Sequence, residues 1–241
     1  MGMLSISIRR ARTAVLALLL AGCSSSVPWA KEPVGSEVNL SFTFENNLLF
    51  LSTATIEGRT GRYFFGSAHQ RSVVDPRVGL TAPTATVQLS EKDQTRINPV
   101  TLDLHGVGDA IIGADAWSQY AVTVDYHSGL VTMQKQGIHP DYMTIFRYTA
   151  EPTVTLRVDG RAVEAIVDTA LPDTVILPRA GASSRGSARI ALAGTDFGPL
   201  DVRYDNVTRA RVGNRVLSKF LITIDYGRRV VGVWRDPRIV M

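Results

Sequence analysis

The chain repeats itself. Ile56–Arg77 lies without a gap over Val158–Arg179 at an offset of 102. Gly58/Gly160, Arg59/Arg161, Ala68/Ala170, Val73/Val175, Pro76/Pro178 and Arg77/Arg179 are identical pairs, and most other positions set apolar on apolar. A second match, Ala110–Val131 over Ala210–Val231, runs at an offset of 100. It pairs Gly113/Gly213, Ser118/Ser218, Thr123/Thr223, Asp125/Asp225 and Tyr126/Tyr226, and sets Tyr120 on Phe220. Two ordered, ungapped matches mark a duplicated unit of roughly 100 residues. Whatever one copy folds into, the other must fold into as well.

Each copy reads as β. Val154–Val158, Leu221–Asp225 and Val230–Trp234 alternate with the period of two that a strand imposes. The turns in IDYGRRVVGVW and VDYHSGLVTM sit between such runs and predict hairpins. A further hairpin is expected around Gly194–Gly198, with short helical turns only at Ala116–Tyr120 and Val216–Phe220. Phe146 stands 102 after Phe44, so much of the segment from Gln136 to Pro152 belongs to the second copy.

The first residues have the three parts of a secretory leader. Arg9, Arg10 and Arg12 precede the apolar run Ala14–Leu20, which is far shorter than the ~20 residues of a stable transmembrane helix. Leu20-Ala21-Gly22-Cys23 then reads as a lipobox, with residues 1–22 as signal peptide and Cys23 as the lipidated first residue. Residues 23–37, small, polar and Pro-containing, read as a tether. The formal charge of +4 falls to +1 once the three leader arginines leave, so nothing basic calls for nucleic acid. Cys23 is the single cysteine, so no disulfide is available to the mature fold. Ser24 follows it, without an Asp retention signal; by similarity to Gram-negative lipoproteins this places the chain in the outer membrane, facing the periplasm. The histidines His69, His105, His127 and His139 show no metal-ligand spacing, and neither metal nor cofactor is expected.

In the second copy, Ala165-Ile-Val167 runs into Asp168-Thr169-Ala170 and then Thr174–Leu177, with Val212-Gly213 further on. This pattern resembles the retropepsin-like aspartic protease family: Asp-Thr-Gly/Ala before an apolar strand, then an apolar-apolar-Gly motif. Ile111-Ile112-Gly113 in the first copy matches that second motif more closely. The resemblance covers residues 38–235. It implies an all-β, pepsin-like, double-lobed fold of two tandem repeats, with lobes at 38–136 and 137–241. In that family each lobe contributes one aspartate to a pair about 3 Å apart that shares a proton, one acting as base and the other as acid.

The first copy departs from the pattern. Where the second has Asp168-Thr169-Ala170, the first has Gly66-Ser67-Ala68. Ser67 keeps the hydroxyl that braces the two loops in the family, whereas the carboxylate is gone. A lone aspartate has no like-charge neighbour to split its titration, and losing one general acid or base costs ~10²–10⁴ in rate. The expectation is therefore a degenerate, non-catalytic module binding an extended peptide or an envelope protein, held at the membrane by lipid on Cys23. The alternative is a periplasmic aspartic endopeptidase using Asp168 and a second carboxylate, with Asp75 and Asp109 as candidates. A weaker reading is a structural subunit of an envelope assembly. On this reading Gly66→Asp rebuilds the dyad. Asp125-Tyr126 and Asp225-Tyr226 are expected to be structural strand ends, and Arg228 and Arg229 to sit on a solvated turn.

Overall fold

The computed structural model describes residues 37–135, 137 and 142–235; the leader, Cys23, nearly all of the tether and His139 lie outside these. The described chain is all-β. Its first half runs Val38–Glu45 (β1), Leu48–Leu51 (β2), Thr55–Ile56 (β3), Tyr63–Phe65 (β4), Val73–Val74 (β5), Ala85–Gln88 (β6), Gln94–Ile97 (β7) and Val100–Thr101 (β8). Ala110–Ile112 (β9), the short helix Ala114–Trp117 (α1), Ala121–Asp125 (β10) and Leu130–Gln134 (β11) complete it. The second half runs Thr144–Arg147 (β12), Thr153–Val158 (β13), Arg161–Val167 (β14), Val175–Pro178 (β15), Ser184–Leu192 (β16) and Thr195–Asp205 (β17). It ends with Ala210–Val212 (β18), Asn214–Leu217 (α2), Leu221–Asp225 (β19) and Val230–Trp234 (β20).

The same pairings occur in both halves. β4 runs parallel to β9 and β14 parallel to β18; β5 and β15 pair antiparallel with those same middle strands. β5 then pairs parallel with β8, and β15 parallel with β17. In the second half β13, β14, β18, β15, β17 and β16 close into a barrel, which leaves no free strand edge there. Tight turns recur as well: Glu57-Gly58 and Asp159-Gly160 both take positive φ, as a two-residue hairpin connection with right-handed twist requires.

The halves join across β10 and β19. Ala121 faces Asp225, Thr123 faces Thr223 and Asp125 faces Leu221, a register symmetric about the threonine pair, whose hydroxyls lie 2.9 Å apart. β11 and β1 extend this sheet on one side, β20 and β12 on the other. One core gathers Leu40, Ile56, Phe65, Ile112, Trp117 and Met133; the other gathers Leu156, Val167, Ile190, Val212, Phe220 and Ile224. Tyr126 and Tyr226 pack against both.

Three expectations shift in position. The helical turns begin two residues earlier than predicted, at Ala114 and Asn214, directly after Gly113 and Gly213. A Cβ at Gly113 would lie 2.6 Å from the His69 carbonyl oxygen, and one at Gly213 2.3 Å from that of Asp173, so this crossing admits only glycine. The long hairpin turns at Ala193-Gly194, with Thr195–Gly198 inside β17. Ala193 sits at φ 48, a conformation its side chain does not advertise in sequence.

Candidate functional site

The Gly66–Ser72 and Asp168–Thr174 loops each leave the end of a strand and return beside it, held by the middle strand. Gly66 N donates to Ile112 O at 2.9 Å and Asp168 N to Val212 O at 3.0 Å. Ala114 N donates to His69 O, and Asn214 N to Leu171 O, so the residues after each middle-strand glycine pin the loop from below. Both loops are thereby fixed before they meet.

They meet through two hydroxyls. Ser67 Oγ donates to Val167 O at 2.6 Å and accepts from Thr169 N at 3.0 Å. Thr169 Oγ1 donates to Phe65 O at 2.6 Å and accepts from Ser67 N at 3.0 Å. Ser67 and Thr169 are both fully buried. Each hydroxyl thus satisfies one backbone donor and one backbone acceptor of the opposite half, and no water is needed in the joint. Two tyrosines support it: Tyr226 Oη donates to Ser67 O at 3.3 Å, and Tyr126 Oη to Asn214 Oδ1 at 2.7 Å. Asn214 in turn donates to Thr169 O and to Asn47 O, each at 2.7 Å. Asp125 and Asp225 accept from backbone N–H groups of their own turns, as expected of strand-end residues. Arg228 is exposed on such a turn, yet its guanidinium pairs with Asp225 at 3.0 Å.

The clasp places Gly66 and Asp168 at matching positions, and their surroundings differ. The Asp168 side chain is 3% exposed. Its Oδ1 accepts from Ala170 N at 3.1 Å, and its Oδ2 from the Arg211 guanidinium at 2.8 Å. Arg211 occupies the position that Ile111 holds in the first copy, 100 residues earlier. Ile111 packs with Leu48, Phe50 and Phe64, and a Cβ on Gly66 would fall 2.3 Å from its Cγ2. Acid with arginine on one side therefore matches glycine with isoleucine on the other. That contact bears on the expectation that Gly66→Asp alone restores a pair: the added side chain would have to displace the branched Ile111 side chain.

His69 lies beside the vacant position, its Nδ1 3.1 Å from where a Gly66 Cβ would stand and without a hydrogen-bond partner. Burial pushes its pKa below the ordinary histidine value; Arg211 adds to this, while Asp168 and Glu151 oppose it. It stays neutral at neutral pH. The two acids proposed as substitutes are engaged elsewhere. Asp75 accepts from Arg77 and from Leu104 N, and Asp109 from Arg62 N. The other histidines in the described region do not join the site: His105 pairs with Asp103, and His127 sits on the β10–β11 turn. Among the described residues no cluster of three or more His, Cys, Asp or Glu could hold a metal.

Sequence reading picked out both loops and named Ile111 and His69 without placing them beside Gly66, and it missed Arg211 and the Asn214 bridge. Arg211 had one signal in sequence, a charged residue at the apolar position preceding Val212-Gly213. Its direction, toward the carboxylate, follows only from strand pairing. In comparison with known proteins, no family model matches the chain and no curated protein matches it significantly.

Thr169→Val strips the clasp of one hydroxyl and leaves Ser67 N and Phe65 O buried without partners. Equilibrium denaturation is expected to show a loss of about 2–4 kcal/mol, and the cycle with Ser67→Ala a coupling of about 1 kcal/mol or more. His69 should make stability fall as pH drops. Its folded-state pKa lies below the unfolded value, so its contribution is complete above about pH 6.5 and declines below it. Urea midpoints taken between about pH 7.5 and 5 should flatten in His69→Gln relative to the parent chain.

Proposed function

We propose that this chain is a lipid-anchored, aspartic-protease-like module whose catalytic pair has been dismantled and which works by binding an extended peptide or envelope protein. The observation that carries the reading is the Asp168–Arg211 ion pair standing opposite Gly66. A shared-proton dyad needs two carboxylates close enough to repel, so that one is held protonated. Here the single carboxylate faces a guanidinium instead, an arrangement that ties down the oxygen a catalytic water would need. The repeated strand pairings, the exchanged hydroxyls and the glycine crossings after β9 and β18 support a pepsin-like, two-lobed descent.

The sequence supports the anchor independently: a short apolar leader ends at Leu20-Ala21-Gly22-Cys23, and Ser24 in place of an Asp retention signal favours the outer membrane, facing the periplasm. Among the described residues no helix is long and apolar enough to cross a membrane.

Residues 24–241, incubated with unfolded protein between about pH 4 and 7, are expected to release no peptides above a buffer control, and Asp168→Asn to change nothing. Pepstatin-sensitive cleavage that disappears in Asp168→Asn would instead establish an endopeptidase. Gly66→Asp is expected to remain inactive, because Ile111 obstructs the new side chain and Arg211 still neutralises Asp168. In cells, Cys23→Ala should abolish palmitate labelling and release the protein from the membrane fraction.

A further inference from the structure

Beside the Asp168–Thr174 loop, the β1–β2 turn leans on the second half. Asn46 and Asn47 hold this turn at φ 51 and 60, and the Asn47 carbonyl receives the amide of Asn214. Between the turn and the β17–α2 face lie two hollows of about 340 and 440 Å³. Asn47, Thr174, Asp201 and Arg215 line both, so the hollows form one continuous groove.

The groove is cationic. Arg203 is tied to Asp173 at 3.1 Å and approaches Asp205 at 3.8 Å. Arg185, Arg215 and Lys219 form no ion pair among the described residues, and the one remaining acid between them is Asp201. The internal repeat marks Arg215 as a departure. Its counterpart 100 residues earlier is Asp115, whose carboxylate is fastened by Ser72 N at 2.9 Å and Ser72 Oγ at 2.7 Å. In the second copy the fastening is gone. Thr174 stands for Ser72 and uses its carbonyl to take the Gly213 N–H, while Arg215 projects, exposed, into the groove. An acid that closed a loop has become a base facing solvent.

We propose that this groove binds an extended acidic segment of another polypeptide. Three unpaired cations along a concave surface supply the attraction, and the long stems of Arg215 and Lys219 add apolar cover. Phe44, 40% exposed, and Leu200 offer apolar contact between the charges, and the Asn46 and Asn47 amides offer hydrogen bonds to a backbone. A compact polyanion fits less well, because Asp173 and Asp201 share the groove and would repel densely packed phosphates. Nucleic acid is disfavoured further by the mature chain's formal charge of +1, too small for a multi-phosphate footprint. The groove does not depend on whether Asp168 is catalytically silent, so binding and proteolysis assays fail independently.

The test is fluorescence anisotropy on the full chain with a labelled peptide of alternating Glu and Ala, its Lys-Ala counterpart, and vesicles of phosphatidylglycerol. Saturable binding of the Glu peptide alone is expected, weakening as salt rises from about 0.05 to about 0.3 M. Arg215→Glu/Lys219→Glu should weaken it about tenfold or more, whereas Arg157→Glu, exposed and outside the groove, should change it less than about twofold. Position 215 is exposed, so loss of binding with an unchanged melting curve reports on the groove. Equal binding of both peptides, no saturable binding, or indifference to the double variant overturns the proposal. Vesicles that bind through Arg215 and Lys219 and displace the peptide would overturn it in favour of a lipid surface.

Discussion

The exchange of hydroxyl hydrogen bonds between Ser67 and Thr169 is the constraint around which the rest is arranged. One strand in each half ends at the joint, β4 at Phe65 and β14 at Val167, and the Phe65 and Val167 carbonyls and the Ser67 and Thr169 N–H groups would be buried and unpaired without it. A buried, unpartnered N–H or C=O costs about 1–3 kcal/mol, so four of them would consume much of a domain's net stability. The hydroxyl position therefore resists change whatever happens to the chemistry beside it. Serine on one side and threonine on the other meet the same need, since only the oxygen and its proton take part.

The residue one position earlier takes no part in the clasp, which is intact with glycine at 66 and aspartate at 168. The residues that differ between the copies here are residues that touch. Glycine sits against Ile111 in one half, where the space is filled by an apolar branch; aspartate sits against Arg211 in the other, where the charge is paired. Exchanging either member alone would bury an unpaired charge or crowd a side chain, each costly. The same logic separates Asp115 with Ser72 from Arg215 facing a groove. The duplicated molecule thus carries its own internal comparison: matching strand pairings around the two loops with different local electrostatics. The proposed loss of catalysis and the proposed gain of an acidic-peptide groove both lie in the differences between the copies.

Much of this was legible beforehand, for definable reasons. Period-two alternation located β13, whose Thr155 and Arg157 face solvent between buried neighbours, whereas β19 and β20 are buried along nearly their whole length and were legible as short apolar runs. Identity between the copies announced that their pairings would match. The helix starts were misplaced by two residues because the signal lies in the steric crossing at Gly113 and Gly213, which depends on a loop distant in sequence. The long hairpin was placed too far along, around Gly194–Gly198, because alanine at positive φ is imposed by the pairing of β16 with β17, not chosen by its side chain.

By itself the sequence determined that the chain is two copies of one β-rich unit, that the loops at 66–68 and 168–170 correspond, and that one of them lacks its acid. Those properties reside in side-chain periodicity and in identity between residues, which need no coordinates. Tertiary structure alone decided that the loops grip each other through Ser67 and Thr169, that Asp168 is answered by Arg211, and that Arg215 opens onto a groove. The partners of each are 43 to 104 residues away or in the other copy, and folding sets their distances by strand register and closure. Contacts made across such separations leave no periodic trace in the chain that makes them.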